Sequence, residues 1–269
     1  MKTPRETVLI TGATSGIGCD MADIFAEKGY DLFLASRNHE KMDAIKTKLE
    51  KLHSIAVNTL AVDLAKPSSA RKVYEETVSR NIEISVLVNN AGFAVYGEHV
   101  DLDPDKSAEV IYLNAVALTQ LCSFFGREMK QRKRGHILNV ASTAAYQPTP
   151  YTAVYGATKS YILSLSEALA KEMEEHHVVV TCLSPGPTDT NFFDVVGVPG
   201  IDERTTGIWA KNNRMPSRRV AQIGVDALFA KRQSVIAGGW NTLMALGNRL
   251  VPRSLSAAVS KKIMKSATP

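Results

Sequence analysis

Val8-Leu9-Ile10-Thr11-Gly12-Ala13-Thr14-Ser15-Gly16-Ile17-Gly18 is the stretch on which the fold turns. Three apolar residues in a row suit a strand buried on both faces. The glycines permit a tight turn and a close approach of backbone to a ligand. Ile17, Met21, Ile24 and Phe25 then recur at helical spacing, and Gly29 closes the helix. A helix opening at such a turn offers unpaired N–H groups and the positive end of its dipole to a diphosphate. The spacing is G-x-x-x-G-x-G, not the commonest dinucleotide fingerprint G-x-G-x-x-G. A plain strand-to-helix connection also uses glycine, but the place of the turn, after a first strand and opening a first helix, favours dinucleotide binding.

Outward from this unit the pattern repeats. Leu32–Ala35 reads as a second strand, residues 38–52 as a charged amphipathic helix, and Ile55–Val62 as a third strand. A helix over 67–80 starts at Pro67, a favoured first-turn position. Val86–Val88, His136–Val140 and Val178–Val180 supply further strands, with long helical regions at Asp103–Arg132 and Thr152–Glu175 between them. Beyond Pro185 the pattern weakens until a helix at Arg218–Ala230 and a last strand at Ser234–Ala237. Apolar strands alternating with helices predict an α/β fold: a doubly wound parallel sheet of Rossmann type, with right-handed crossovers and helices on both faces. No repeat, low-complexity tract or linker divides the 269 residues, so one catalytic domain spanning 1–269 is expected, with a C-terminal helical extension.

Composition bounds the function. A hydrophobic share of 45% supports a sizeable core. A net charge of +5 suits an anionic cofactor, a nucleic acid or a membrane surface and selects none of them. Cys19, Cys122 and Cys182 form no close pair and no metal-ligand spacing, which predicts neither disulfide nor metal and suits a reducing, cytoplasmic compartment. Neither a signal peptide nor an apolar run long enough to span a bilayer is read from the chain. No basic-aromatic cluster points to nucleic acid.

The end of the second strand bears on the dinucleotide. An acidic residue there would bind ribose hydroxyls and repel a 2′-phosphate. Ala35-Ser36-Arg37-Asn38 stands there instead. Ser36 can donate to phosphate, and Arg37 adds charge and a planar fork. NADP(H) is therefore expected, against the alternative that Arg37 is only a solvated surface residue. Asp63-Leu64 ends the third strand and faces the adenine edge in this reading. Asn89-Asn90-Ala91-Gly92 ends the fourth and passes the adenosine side.

Chemistry concentrates in Tyr155-Gly156-Ala157-Thr158-Lys159. Residues at i and i+4 share a helix face, so Lys159 approaches Tyr155. A nearby ammonium favours the phenolate and lowers a pKa that is ordinarily ~10. Such a tyrosine serves as general acid or base. Ser142 follows the fifth strand; its hydroxyl can steady a developing oxyanion, or merely cap a turn. Asn114 lies among Leu113, Val116 and Leu118, where it either holds a water in the proton path or is a satisfied buried amide.

Taken together, Gly12–Gly18, Asn89–Gly92, Asn114, Ser142, Tyr155/Lys159 and Pro185-Gly186 resemble the short-chain dehydrogenase/reductase family in order and spacing, over residues 5–190 and more weakly to 237. The resemblance implies strand order 3-2-1-4-5-6-7 and a catalytic tetrad of Asn114, Ser142, Tyr155 and Lys159. It implies that Lys159 also binds the nicotinamide ribose. It places Pro185, Gly186 and Thr188 beside the nicotinamide and Thr190 near the diphosphate. Gly12, Thr14, Ser15, Gly16, Ile17 and Gly18 would form the phosphate turn, with Asn90, Ala91 and Gly92 beside it. Many NADP(H)-using members carry a basic residue where this chain has Ser15, so cofactor choice rests on Arg37. The implied function is hydride transfer between NADP(H) and a carbonyl or secondary alcohol substrate, with Tyr155 moving the proton. A non-catalytic NADP(H)-sensing protein is the alternative. A homodimer or homotetramer through the helices near 103–132 and 152–175 is also implied.

Two segments stay open. Residues 189–216 form the expected substrate loop. Its Phe192, Phe193, Val195, Val196, Val198, Ile201 and Trp209 either meet a hydrophobic substrate or pack the loop onto the domain. From Trp240 onward, Leu243, Met244, Leu246 and Leu250 make one apolar stripe, and Leu255, Val259 and Ile263 recur every four residues beside Arg249, Arg253, Lys261, Lys262 and Lys265. This tail lids the site, packs on a partner subunit, or rests on an anionic membrane, the last being the least favoured because no lipid anchor accompanies it.

Overall fold

The computed structural model describes residues 5–190, 192 and 214–265. Its frame is a parallel sheet of β1 (Thr7–Thr11), β2 (Asp31–Ser36), β3 (Val57–Ala61), β4 (Ile84–Asn89), β5 (Gly135–Val140), β6 (Val178–Ser184) and, after a two-residue pair β7 (Thr188–Asp189) and β8 (Met215–Pro216), the edge strand β9 (Ser234–Ile236). The order is β3-β2-β1-β4-β5-β6-β9, the expected doubly wound arrangement. The reversal between β1 and β4 opens a crevice at the strands' carboxyl ends, where ligands bind in such sheets.

Helices α1 (Gly16–Glu27), α2 (His39–His53), α3 (Ser69–Ser79), α4 (Pro104–Ile111), α5 (Leu118–Arg132), α6 (Ala153–Glu174) and α7 (Ser217–Phe229) cover the sheet. Strand side chains alternate between the two faces. Val8, Ile10, Leu32 and Leu34 pack with Phe25 of α1 and Val225 of α7. Leu9, Phe33, Leu87 and Ile137 pack with Val73 of α3, Phe125 of α5 and Ile162 of α6. Helix α8 (Gly239–Gly247) and helix α9 (Arg253–Lys265) complete the described chain.

Three expectations are corrected. Helix α3 begins at Ser69 rather than Pro67, because Ser68 turns the backbone left-handed at φ 66°. The region 103–132 is not uniform: Tyr112–Ala117 forms a π-helical segment between α4 and α5. Such bulges insert into otherwise regular helices and accompany functional sites. The combined helix Pro104–Arg132 is also long and apolar enough to cross a membrane by length and composition. Leu118, Leu121, Phe125 and Met129 pack in the core on the sheet, while Ile111 and Tyr112 remain exposed.

Candidate active site

A cavity of about 1270 Å³ lies over the carboxyl ends of the strands and extends to α8 and α9. At one end is the turn between β1 and α1. Gly12 has φ +67°, and a Cβ there would stand 2.9 Å from the Cα of Ala91. Gly16 has φ +52°, and a Cβ there would stand 2.7 Å from Cγ2 of Thr190. Both glycines therefore keep the turn tight against β4 and the Thr190 segment. Gly12, Thr14, Ser15, Gly16 and Ile17 line the cavity. Gly18 does not; a Cβ on it would meet the oxygen of Gly12 and Nδ2 of Asn90 at 2.4 Å, so this glycine packs α1 behind the turn.

The turn is braced from β4. Thr11 Oγ1 accepts from the N–H groups of Asn90 and Ala91, each at 3.0 Å. Asn90 Nδ2 donates to the carbonyls of Thr11 at 3.0 Å and Gly12 at 3.1 Å. Asn90, Ala91 and Gly92 line the cavity, whereas Asn89 points into the core and donates to Asn139 Oδ1 at 2.9 Å. Thr11 escaped the sequence reading, although a hydroxyl ending a buried strand needs such partners.

The turn fits a diphosphate. Ser15 stands at the N-cap of α1 without a side-chain capping bond, and the first turn holds no acidic residue. Its N–H groups and dipole are thus left to an anion. At the rim, Ser36 Oγ lies 2.9 Å from Thr14 Oγ1, and Ser36, Arg37, Asp63 and Leu64 line the cavity. Arg37 is exposed and forms no ion pair among the described residues.

Toward the middle, the first turns of α6 carry Tyr155 and Lys159, one helical turn apart. Lys159 Nζ donates to the carbonyl of Val140 at 2.8 Å and stands 5.6 Å from the Tyr155 ring centre. Burial pulls the ammonium down to about 8. Burial also pushes the Tyr155 phenol up, and a hydrogen bond with Ser142 is the influence that lowers it. The expected lowering by Lys159 is therefore corrected. Withdrawal of water is the largest influence and raises the phenol, while the Lys159 ammonium is engaged by the Val140 carbonyl.

Ser142 follows β5 and caps a short 3₁₀ turn, its hydroxyl accepting from Ala144 N at 3.1 Å while still lining the cavity. Pro185, Gly186, Pro187 and Thr188 face it from the end of β6, and Thr188 Oγ1 donates to the Gly186 carbonyl at 2.9 Å. Thr190 also lines the cavity. Its hydroxyl accepts from Phe192 N at 3.3 Å, and the Phe192 ring lies 5.5 Å from Tyr155. Phe193, Val195, Val196, Val198, Ile201 and Trp209 of the expected substrate loop lie outside the described residues.

Asn114 stands apart from the cavity. It is fully buried in the π-helical segment. Its Oδ1 accepts from Phe93 N at 3.1 Å, and its Nδ2 donates to the Phe93 carbonyl and to Thr158 Oγ1, each at 3.0 Å. It ties the loop after β4 to α6. Asn114→Leu leaves both Phe93 groups unpaired and is expected to cost about 2–4 kcal/mol of stability. A denaturant melt checks this; an unchanged midpoint contradicts the bracing.

The tail supplies residues that the motifs did not mark. Asn241 of α8 closes over Gly186, where a Cβ would fall 2.2 Å from its Nδ2. Asn248 donates to Gln147 Oε1 at 2.7 Å, and Tyr96 Oη donates to the Met264 carbonyl at 3.0 Å. The extension is therefore fastened over the site.

The model of the short chain dehydrogenase family matches residues 6–197. The very-long-chain 3-oxoacyl-CoA reductase of Pyrenophora tritici-repentis is 34% identical over 67% of this chain and 54% of its own. Dehydrogenase/reductase SDR family member 7B of Bos taurus is 30% identical over 86% of this chain and 73% of its own. The chain spans about half the length of the very-long-chain 3-oxoacyl-CoA reductases it matches. Among solved structures, a short-chain dehydrogenase from Sphingobium yanoikuyae in complex with NADPH matches with a TM-score of 0.78 and 29% identity, over 91% of this chain and 94% of that one. With this sheet order and this cavity, the chain belongs to the short chain dehydrogenase family.

Proposed function

We propose that the chain moves a hydride between NADP(H) and a hydrophobic carbonyl or secondary alcohol compound. The observation that carries this reading is the convergence of Tyr155, Lys159 and Ser142 with the glycine turn and Arg37 on one cavity. The nicotinamide, when bound, supplies or accepts the hydride. Tyr155 holds the proton for the substrate oxygen, and Ser142 donates a hydrogen bond to that oxygen as charge develops on it. Lys159, beneath the Tyr155 ring, orients what lies between the phenol and β5. Asn114 is a positioning residue, acting through Phe93 and Thr158. NADP(H) pools are kept reduced, which favours carbonyl reduction as the working direction.

NADP(H) over NAD(H) rests on Arg37, on Ser36, and on the absence of an acid at the end of β2. The NADPH named for the Sphingobium structure supports the same choice. Arg37→Asp removes a charge-assisted hydrogen bond worth about 1.5–3 kcal/mol, so NADPH affinity should fall roughly 10- to 150-fold. NADH affinity should hold or improve. Fluorescence titration with both cofactors reads this out, and equal affinities in the unaltered protein would sink the assignment.

The reductase and the human 17-beta-hydroxysteroid dehydrogenase type 3, 29% identical over 71% of this chain, bear names that place an oxygen function on a large apolar body. That supports a hydrophobic substrate here. A homodimer or homotetramer through α4, α5 and α6 is part of the same reading. Ile111 and Tyr161 remain exposed on these helices, as does Tyr112 in the π-helical segment between α4 and α5. Light scattering that gives the monomer mass at working concentrations contradicts it.

A further inference from the structure

Helix α9 carries Leu255, Val259 and Ile263 at successive turns, and all three line the cavity that holds Tyr155. They are 55%, 51% and 47% exposed. Ser256 and Ser260, on the adjoining strip, are buried. Arg253, Lys261 and Lys262 are exposed and take no part in the lining. The apolar stripe thus faces the site, and the basic residues face away. The eight helical rises from Leu255 to Ile263 make the stripe about 12 Å long. Leu243, Met244 and Val251 continue the apolar wall from the α8 side. The wall is fixed in place, because Tyr96 and Gln147 anchor it at Met264 and Asn248. Trp240, Leu246 and Leu250 belong to the same tail but line none of the cavity.

We infer that α9 is the specificity wall for a substrate whose carbonyl sits at Tyr155 and whose apolar body runs along Leu255, Val259 and Ile263. The substrate class is a ketone with an extended apolar body of about the stripe's length. This rests on the reading of Tyr155 as the proton donor and adds to it the determinant of substrate length. A short ketone touches none of the stripe and gains nothing from it. Each methylene laid against the stripe should raise affinity roughly fourfold. Straight alkyl chains and rigid fused rings both offer such a body.

The test uses the full chain with bound NADP⁺ and two readouts. Calorimetric affinity is measured for methyl ketones of increasing chain length and for a fused-ring ketone of matching length, and kcat/KM with NADPH is measured for the same compounds. Val259→Asp is compared with the unaltered protein and with Leu250→Asp, a control on the same tail outside the cavity. The unaltered protein and Leu250→Asp should both show the stepwise gain in affinity. Val259→Asp should flatten it, the loss against the unaltered protein growing with chain length. A gain for chains but not rings assigns a flexible body, and the reverse a rigid one. Leu255→Thr, a milder change, should halve the gain and covers the case in which Val259→Asp does not fold. Length-dependent binding without turnover would sink the reductase reading and leave the wall standing. Turnover of short and long ketones at equal kcat/KM, or the same gain in Val259→Asp as in Leu250→Asp, overturns the wall.

Discussion

Tyr155→Phe is expected to lower the rate of carbonyl reduction by about 10²–10⁴-fold, the usual worth of a positioned general acid. NADPH affinity should be retained, because the ring stays beside Lys159 and Phe192 and only the hydroxyl is lost. The pH dependence adds a second signature. Burial disfavours charge, so it raises the phenol and lowers the ammonium, the latter to about 8. Reduction uses the protonated phenol beside a charged Lys159. It should therefore hold steady below about 8 and fall as pH rises through that value. Alcohol oxidation needs the phenolate and should rise with pH. Stopped-flow absorbance of NADPH across pH checks both limbs. A Tyr155→Phe variant with undiminished turnover removes Tyr155 from the chemistry.

Gly12→Ala carries the second large effect. The residue has φ +67°, where a side chain costs about 1–2 kcal/mol. Its new Cβ would also meet the backbone Cα of Ala91 at 2.9 Å, and neither β1 nor β4 can yield at the centre of the sheet. Overpacking of this kind costs a further 1–3 kcal/mol or so. The turn must either carry the strain or move away from β4, so the penalty appears as lost stability, lost NADPH affinity, or both. The sum should reach about 2–5 kcal/mol, equivalent to roughly 30-fold or more if it falls wholly on binding. Gly29→Ala is the control. Its φ is +82°, but a Cβ there meets nothing within 4 Å, so only the backbone cost applies and NADPH affinity stays unchanged. Thermal melts with and without NADPH separate the two contributions. Equal behaviour of the two variants contradicts the close approach of the turn to β4.

What the chain made legible followed from periodicity. The run Val8–Ile10, the glycine turn and the Ile17/Met21/Ile24 spacing placed β1 and α1, and the later strands repeated the alternation. Tyr155 and Lys159 were legible together because four residues make one helical turn. Other features depend on contacts distant in sequence and had no local signal. Gly18 is required by Asn90 and Gly12 behind the turn rather than by a ligand. The π-helical segment at Asn114 arises where its amide binds Phe93 and Thr158. Burial reverses the pKa direction expected for Tyr155, because water exclusion is a property of the folded cavity and not of the Tyr–Lys spacing. The stripe of α9 was visible as a repeat, but its orientation toward the cavity depends on contacts distant in sequence, such as Tyr96 with Met264 and Gln147 with Asn248, which in turn binds Ser256.

The central claim is hydride transfer with Tyr155 as proton donor. It is tested most directly by incubating the protein with a panel of hydrophobic ketones and NADPH deuterated at the transferring position, then locating the label by mass spectrometry. The predicted result is one deuterium on the carbinol carbon of the product, made by the unaltered protein and lost in Tyr155→Phe. Tight NADPH binding with no labelled alcohol from any ketone would contradict the claim and favour a cofactor-sensing protein on the same fold.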